Sequence, residues 1–155
     1  MQPLLEDALV WCHEARSFAD VAFSTPTVGG AVDFHADYIE ACALTQLGLP
    51  SKALEAAERS LAKRPKALET LLVKAEAQIL SGEAAQALSD LGRLLIPDVP
   101  DVWILSAWAG FQFGGIEEVR SMVEQGSRSA RENELLVPYR AWILRDLEAE
   151  LETAD

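Results

Sequence analysis

The stretch Gly48–Leu61, GLPSKALEAAERSL, has a counterpart further along the chain in Gly82–Leu95, GEAAQALSDLGRLL. Each residue that the two copies share lies 34 positions from its counterpart. A constant offset between small and apolar residues is typical of stacked repeat units, which bury their apolar faces against one another. The small and apolar pairs are Gly48 and Gly82, Ala53 and Ala87, Leu54 and Leu88, and Leu61 and Leu95.

Helical periodicity continues on both sides of these copies, and Gly or Pro interrupts it at short intervals. The sequence therefore predicts an all-α chain of about eight helices with no strand candidates. Because the breaks are short, we expect consecutive helices to be antiparallel neighbours. The predicted helices span residues 3–21, 32–47, 51–63, 66–80, 83–96, 102–113, 116–130 and 132–153.

Three local signals refine these boundaries. Residues 24–30, STPTVGG, form the longest break and predict a loop, because Pro and two Gly residues interrupt the pattern. Ser51 is expected to cap the helix that follows Gly48. Pro138 either begins the last helix or puts a kink near its start.

These helix pairs resemble the tetratricopeptide repeat family. With Gly48 on the family's turn glycine, Ala41 and Ala53 fall on the small sites of the two helices, and Pro65 falls on the terminal proline. The second unit carries Ala75, Gly82 and Ala87, and the third Trp103, Ala107, Gly114 and Val119. The family's tyrosine and phenylalanine sites are occupied instead by Leu44, Ala57, Gln78 and Leu91.

The resemblance covers about residues 33–130 and implies an α-α superhelix of about three tetratricopeptide-like hairpins. It predicts a single domain over residues 1–155. An N-terminal helix and loop occupy residues 1–31, the repeats residues 32–130 and a C-terminal capping helix residues 131–155. Another array of helical hairpins is the alternative architecture.

Charge and composition exclude several classes of partner. The chain has 155 residues, half of them hydrophobic, and a net charge of −12. A nucleic-acid binder needs a basic stripe, and an anionic membrane also attracts basic surfaces, so we expect neither partner. Two cysteines, no signal-peptide pattern and no long apolar run favour a cytoplasmic protein.

The charge is unevenly distributed along the chain. Residues 1–40 have a net charge of −6 and residues 131–155 of −4, whereas residues 51–74 have a net charge of +3. Solvated helix faces explain such a pattern, and the alternative is that the acidic ends attract a basic partner.

No motif in the sequence indicates catalysis, a cofactor or a metal site. Cys12, His13 and Glu14 are adjacent on one predicted helix and point in different directions, and His35 lies on another helix. The acidic pair Glu117–Glu118 and the acidic residues between 146 and 152 are expected to be solvated helix surface. We therefore predict a protein that is not an enzyme.

The family resemblance also implies which positions line a concave, partner-binding groove. The lining is mostly apolar and aromatic with a few carboxylates, and it lacks the Lys and Asn residues that grip a C-terminal carboxylate in chaperone-clamp relatives. Its predicted partner is a helical or extended protein segment, apolar with basic flanks. The implied lining residues are His35, Tyr38, Cys42, Thr45, Glu69, Leu72, Glu76, Ile79, Asp101, Ile104, Trp108 and Phe111.

An alternative leaves no open groove, because the aromatic residues of the lining pack beneath the flanking helix 132–153. Trp103 and Trp142 are expected in the core, the latter on the apolar stripe of that last helix.

The sequence thus favours a non-enzymatic protein–protein interaction module, an adaptor, scaffold or small chaperone. Small size, acidity and the Trp103–Trp108 stretch also resemble, more weakly, the cytoplasmic chaperones of type III secretion. A self-assembling structural subunit, such as a homodimer that buries an apolar face, is a further alternative.

Overall fold

The computed structural model describes residues 26–94, 99–112, 115–133 and 138–153, with side chains from Phe34 onward except at residues 132, 133, 138 and 139. Within these ranges there are seven α-helices and no β-strand, which confirms the all-α class. The predicted helix 3–21 lies outside the described residues. The helices are α1 Pro26–Gln46, α2 Pro50–Lys63, α3 Leu68–Leu80, α4 Ala84–Gly92, α5 Pro100–Phe111, α6 Ile116–Asn133 and α7 Pro138–Thr153.

The chain divides into two compact units, Met1–Ser81 and Gly82–Asp155. In the N-terminal unit, α1, α2 and α3 pack against one another. The Ser60 hydroxyl of α2 donates a hydrogen bond to the Phe34 carbonyl of α1 at 3.3 Å. It also lies 3.2 Å from the Thr70 hydroxyl of α3. Ser60 lies near the end of α2. Its partner Phe34 lies in the part of α1 that is far from the turn between α1 and α2, and its partner Thr70 lies near the start of α3. The pairs α1–α2 and α2–α3 are therefore both antiparallel.

The turn between α1 and α2 is closed by backbone hydrogen bonds around Gly48. The Gly48 N–H donates to the Thr45 carbonyl at 3.1 Å, and the Leu49 N–H donates to the Leu44 carbonyl at 2.9 Å. This pair of bonds is a Schellman motif, which needs a left-handed residue after the helix. Gly48 has φ 75° and Gly82, after α3, has φ 87°. The two glycines that the repeat pairs therefore share one conformation.

The small sites of the repeat are all buried. Ala41 and Ala53 belong to the core of the N-terminal unit, together with Ala56, Ala57, Leu44, Val73 and Ala77. Ala75, Ala87, Ala107 and Val119 are buried as well. Alanine at such positions lets helix axes approach closely, so the burial of these residues is what a role as spacers requires.

In the C-terminal unit, α4 packs against α5, and α5, α6 and α7 pack against one another. Two glycines allow a close approach of α5 and α6. A Cβ at Gly110 would lie 3.3 Å from Val119 Cγ2, and one at Gly126 would lie 3.1 Å from Ile104 Cγ1. The core of this unit comprises Ile104, Ala107, Val119, Val123, Ile143, Leu144, Leu147 and Leu151.

Two predicted features at helix starts are wrong. Residues 26–30 belong to α1, although they were expected in the loop 24–30. Pro26 suits the first position of a helix, and each glycine inside a helix costs only about 1 kcal/mol, too little to prevent the helix from forming. Ser51 does not cap α2, because Pro50 begins the helix and Leu49 occupies the N-cap.

Two further predicted helix boundaries differ from those of the structure. The helix expected over residues 83–96 ends at Gly92. There the Arg93 and Leu94 N–H groups donate to the carbonyls three residues earlier and tighten the last turn. The last helix does not begin at residue 132, because α6 continues to Asn133 and α7 begins at Pro138. Pro138 therefore starts a helix, where its missing N–H costs no hydrogen bond.

Candidate functional site

The predicted lining residues of α1 differ in how much surface they expose. His35 is exposed, Tyr38 and Cys42 are half-buried, and Thr45 is buried. The Thr45 hydroxyl donates to the Ala41 carbonyl at 2.7 Å, so it is engaged within its own helix. Tyr38 and Cys42 pack against the core of the N-terminal unit. Of the four positions, His35 offers a partner the most surface.

The exposed stripe of α1 is offset from the predicted lining. It runs through His35, Ile39, Cys42 and Gln46, at spacings of three and four residues, so these residues share one side of the helix. Ile39 is 45% exposed, an unusual exposure for a large aliphatic residue. We call these four residues the α1 face. Val73, which lies 34 positions after Ile39 in the sequence, is buried.

The predicted lining residues of α3 are mostly inaccessible. Leu72, Glu76 and Ile79 are buried, and only Glu69, in the first turn, is exposed. Because α3 is buried along most of its length, its contribution to a binding surface is confined to its start.

In the C-terminal unit, α7 packs against the helix that carries the predicted lining. Ile104 is fully buried in the core to which α7 contributes Ile143, Leu144, Leu147 and Leu151. Trp108 and Phe111 are half-buried and pack against the same core. This arrangement agrees with the alternative in which these aromatic residues lie beneath the last helix.

Asp101, the remaining lining residue, is held by an ion pair. Its Oδ1 accepts a hydrogen bond from Arg140 Nη1 at 2.9 Å, and both side chains are nearly buried. The pair joins the first turn of α5 to the first turn of α7. The ion pair therefore positions α7, and little of the Asp101 carboxylate remains accessible to a ligand.

A buried carboxylate that sequence reasoning missed lies between α1 and α2. Asp37 is fully buried, with Oδ2 2.7 Å from Lys63 Nζ and Oδ1 3.2 Å from Arg59 Nε. Arg59 Nη2 also reaches Glu40 Oε2 at 2.8 Å. Beside this cluster, the Arg64 guanidinium lies 5.4 Å from the centroid of the Phe34 ring. The basic residues of the stretch 51–74 therefore serve partly as partners for α1.

The expectation that Trp142 lies in the core is wrong, because its side chain is 56% exposed. Successive helix residues are about 100° apart, so Trp142, Ile143 and Leu144 cannot all face the same way. The core takes Ile143 and Leu144, which leaves Trp142 outward. Trp103 is half-buried.

The acidic residues predicted to be solvated are exposed, except Glu148. Glu117, Glu118, Asp146, Glu150 and Glu152 are exposed. Glu148 is half-buried, and its Oε1 accepts a hydrogen bond from the Ser127 hydroxyl at 2.7 Å, which joins α6 to α7.

Among residues 26–94, 99–112, 115–133 and 138–153, no three His, Cys, Asp or Glu side chains form a cluster that could hold a metal ion. No helix in these ranges combines the length and apolar character that crossing a membrane requires. Comparison with protein-family models, curated proteins and solved structures found no match to this chain.

Proposed function

We propose that this chain is a non-enzymatic adaptor or small chaperone of the cytoplasm, built on a tetratricopeptide-like helical repeat, and that it binds an apolar protein segment with basic flanks. The observation that carries the proposal is the α1 face. It combines an exposed aliphatic residue, Ile39, with the half-buried Cys42 and the exposed His35 on one side of a helix.

The repeat scaffold is supported by local geometry. Gly48 and Gly82 share a left-handed conformation, and the small residues that follow each of them, Ala53 and Ala87, are fully buried. In such arrays, each unit contributes a helix face to an extended binding surface. The α1 face belongs to the helix that the resemblance assigns to partner binding.

The α1 face suits an apolar anchor, and the net charge of the whole chain favours basic flanks beside it. Ile39 and Cys42 offer apolar surface, and an aliphatic anchor placed on them would gain about 25 cal/mol for each Å² buried. The chain carries a net charge of −12, which attracts a basic segment over long distances. An amphipathic helix or an extended segment can present both features.

The test compares two exposed apolar residues of the N-terminal unit. Ile39→Asp places a charge on the α1 face, and Leu49→Asp places the same charge on the turn after α1, where Leu49 is also exposed. Partners captured from the source cells are identified and purified, and their affinities are measured by calorimetry. We expect Ile39→Asp to lose at least tenfold in affinity, and Leu49→Asp to bind as the wild type does.

Equal affinity of both variants and the wild type would overturn the proposal. So would equal losses in both variants, because the loss would then not be specific to the α1 face. Light scattering at two protein concentrations measures the oligomeric state and so tests the alternative of a self-assembling subunit. In that case, Ile39→Asp would instead dissociate an oligomer.

A further inference from the structure

The outward side of α7 is a second exposed helix face, separate from the α1 face. Ile143, Leu144, Leu147 and Leu151 form the core side of this helix. Residues Trp142, Arg145, Asp146 and Ala149 are all exposed. With about 100° between successive residues, these four lie on the side opposite the core. We call them the α7 face.

Trp142 dominates this face. Tryptophan is the residue type most enriched among those that carry binding energy at protein interfaces. Ala149 lies two turns further along the same side, about 10 Å away by the rise of a helix. Because Ala149 is small and exposed, a partner's side chain can approach the backbone of α7 at this position.

The charges around Trp142 select the kind of partner. Asp146 lies one turn from Trp142 on the same side, and Glu150 and Glu152 are exposed in the following turns. Arg145 offsets one of these three negative charges. A second copy of the chain would bring another net charge of −12 to a helix whose exposed charged residues, Arg145, Asp146, Glu150 and Glu152, sum to −2, and nucleic acid would also be repelled.

We propose that the α7 face docks a basic amphipathic segment of another protein. A lysine or arginine of that segment bonds to the Asp146 carboxylate, while aliphatic residues cover Ala149 and the exposed part of the Trp142 side chain. This surface does not depend on the α1 face, so failure of one proposal leaves the other in place.

The test uses a short amphipathic peptide of Lys and Leu and a matched peptide of Glu and Leu. Binding is followed by fluorine NMR of protein labelled with fluorotryptophan, with the Trp142 signal assigned from Trp142→Phe. We expect the Lys/Leu peptide to shift the Trp142 signal and the Glu/Leu peptide to leave it unchanged. Trp142→Ala and Asp146→Lys should each weaken binding about tenfold, which corresponds to about 1.4 kcal/mol.

Two control variants separate this site from general attraction to an acidic protein. Glu124→Lys makes the same charge change at an exposed position of α6, and Ile116→Ala removes an exposed apolar side chain from the start of that helix. Both should bind the Lys/Leu peptide as the wild type does. All variants change exposed residues, so their thermal unfolding should match the wild type.

An unmoved Trp142 signal, or losses with Glu124→Lys as large as those with Asp146→Lys, would overturn the inference. Self-association that Trp142→Ala abolishes would overturn it as well, because the occupant would then be a second copy of the chain.

Discussion

Gly126 is the residue on which the close contact of α5 and α6 depends. A Cβ at this position would meet Ile104 Cγ1 at 3.1 Å and Trp103 Cβ at 3.3 Å. Neither atom can move away easily, because Ile104 is fully buried and a Cβ atom moves only with its backbone. In the sequence, Gly126 follows Gly114 by the same interval as Ser60 follows Gly48, and Ser60 is also a small residue at a helix crossing.

We expect Gly126→Ala to destabilise the protein. Alanine favours a helix over glycine by about 1 kcal/mol, but overpacking a tight contact costs about 1–3 kcal/mol. The net loss should be about 1 kcal/mol in the free energy of unfolding, measured by urea denaturation.

Gly92→Ala is the matched control, because Gly92 ends α4 and nothing lies within 4 Å of a Cβ placed there. It should stabilise the protein by up to about 1 kcal/mol through the unfolded chain. If both substitutions stabilised the protein, the α5–α6 contact would be looser than the structure shows.

The exposure of individual large apolar residues is the property that is least predictable from the sequence. Trp142 and Ile39 are large apolar residues in amphipathic helices, and a periodicity argument assigns such residues to the core. In each case neighbouring residues fill the core instead, Ile143 for Trp142 and the pair Ala41 and Leu44 for Ile39. The sequence contains too many apolar residues in succession for the pattern alone to orient the helix.

Among the helices, α4 offers the sharpest test of the repeat register. Ala87 is fully buried, whereas Ala85, two residues earlier on the same helix, is exposed. Ala87→Leu should cost about 1–3 kcal/mol and lower the melting temperature by several degrees, because the added atoms overpack a close contact. Ala85→Leu should change stability by less than about 0.5 kcal/mol.

Calorimetry measures the melting temperatures of both variants. An Ala87→Leu variant that melts at or above the wild-type temperature would show that position 87 is not a spacer.

Helix type and turn position were predictable because the physics that fixes them is local. A left-handed turn needs glycine, and a close helix pair needs alanine, so Gly48, Gly82, Ala53 and Ala87 were assigned correctly. The start of α1 was not, because proline marks the first turn of a helix as readily as it marks a loop. Pro26, Pro50, Pro100 and Pro138 each begin a helix.

At the scale of the whole molecule, net charge should control the rate of partner binding. A partner with basic flanks is attracted by the charge of −12, and salt screens that attraction. The Debye length falls from about 30 Å at 0.01 M to about 3 Å at 1 M ionic strength. We expect the association rate, measured by stopped flow, to fall at least tenfold over this range, with little change in the dissociation rate.

A peptide in which serine replaces the basic flanks is the control, and its association rate should be nearly independent of salt. Equal salt dependence of the two peptides would contradict long-range attraction of a basic partner.

The candidate site was predicted in part. The repeat alignment identified the helix α1 as a source of accessible residues, but the position of α7 could not be deduced. Sequence gives no measure of how closely a flanking helix packs, and α7 joins the core that buries Ile104. The ion pair of Asp101 with Arg140 joins residues 39 positions apart, a separation that no local pattern reveals.

The ion pairs of Asp37 have a consequence for the rotation of α1 about its own axis. Two cations of α2, Arg59 and Lys63, draw this carboxylate toward them. Position 39 lies about 200° around the helix from position 37, so fixing Asp37 inward turns Ile39 outward. We infer that the Asp37 carboxylate fixes the rotation of α1 about its axis. A rotation by a single residue would separate the charges and hide the surface that the α1 face offers to a partner.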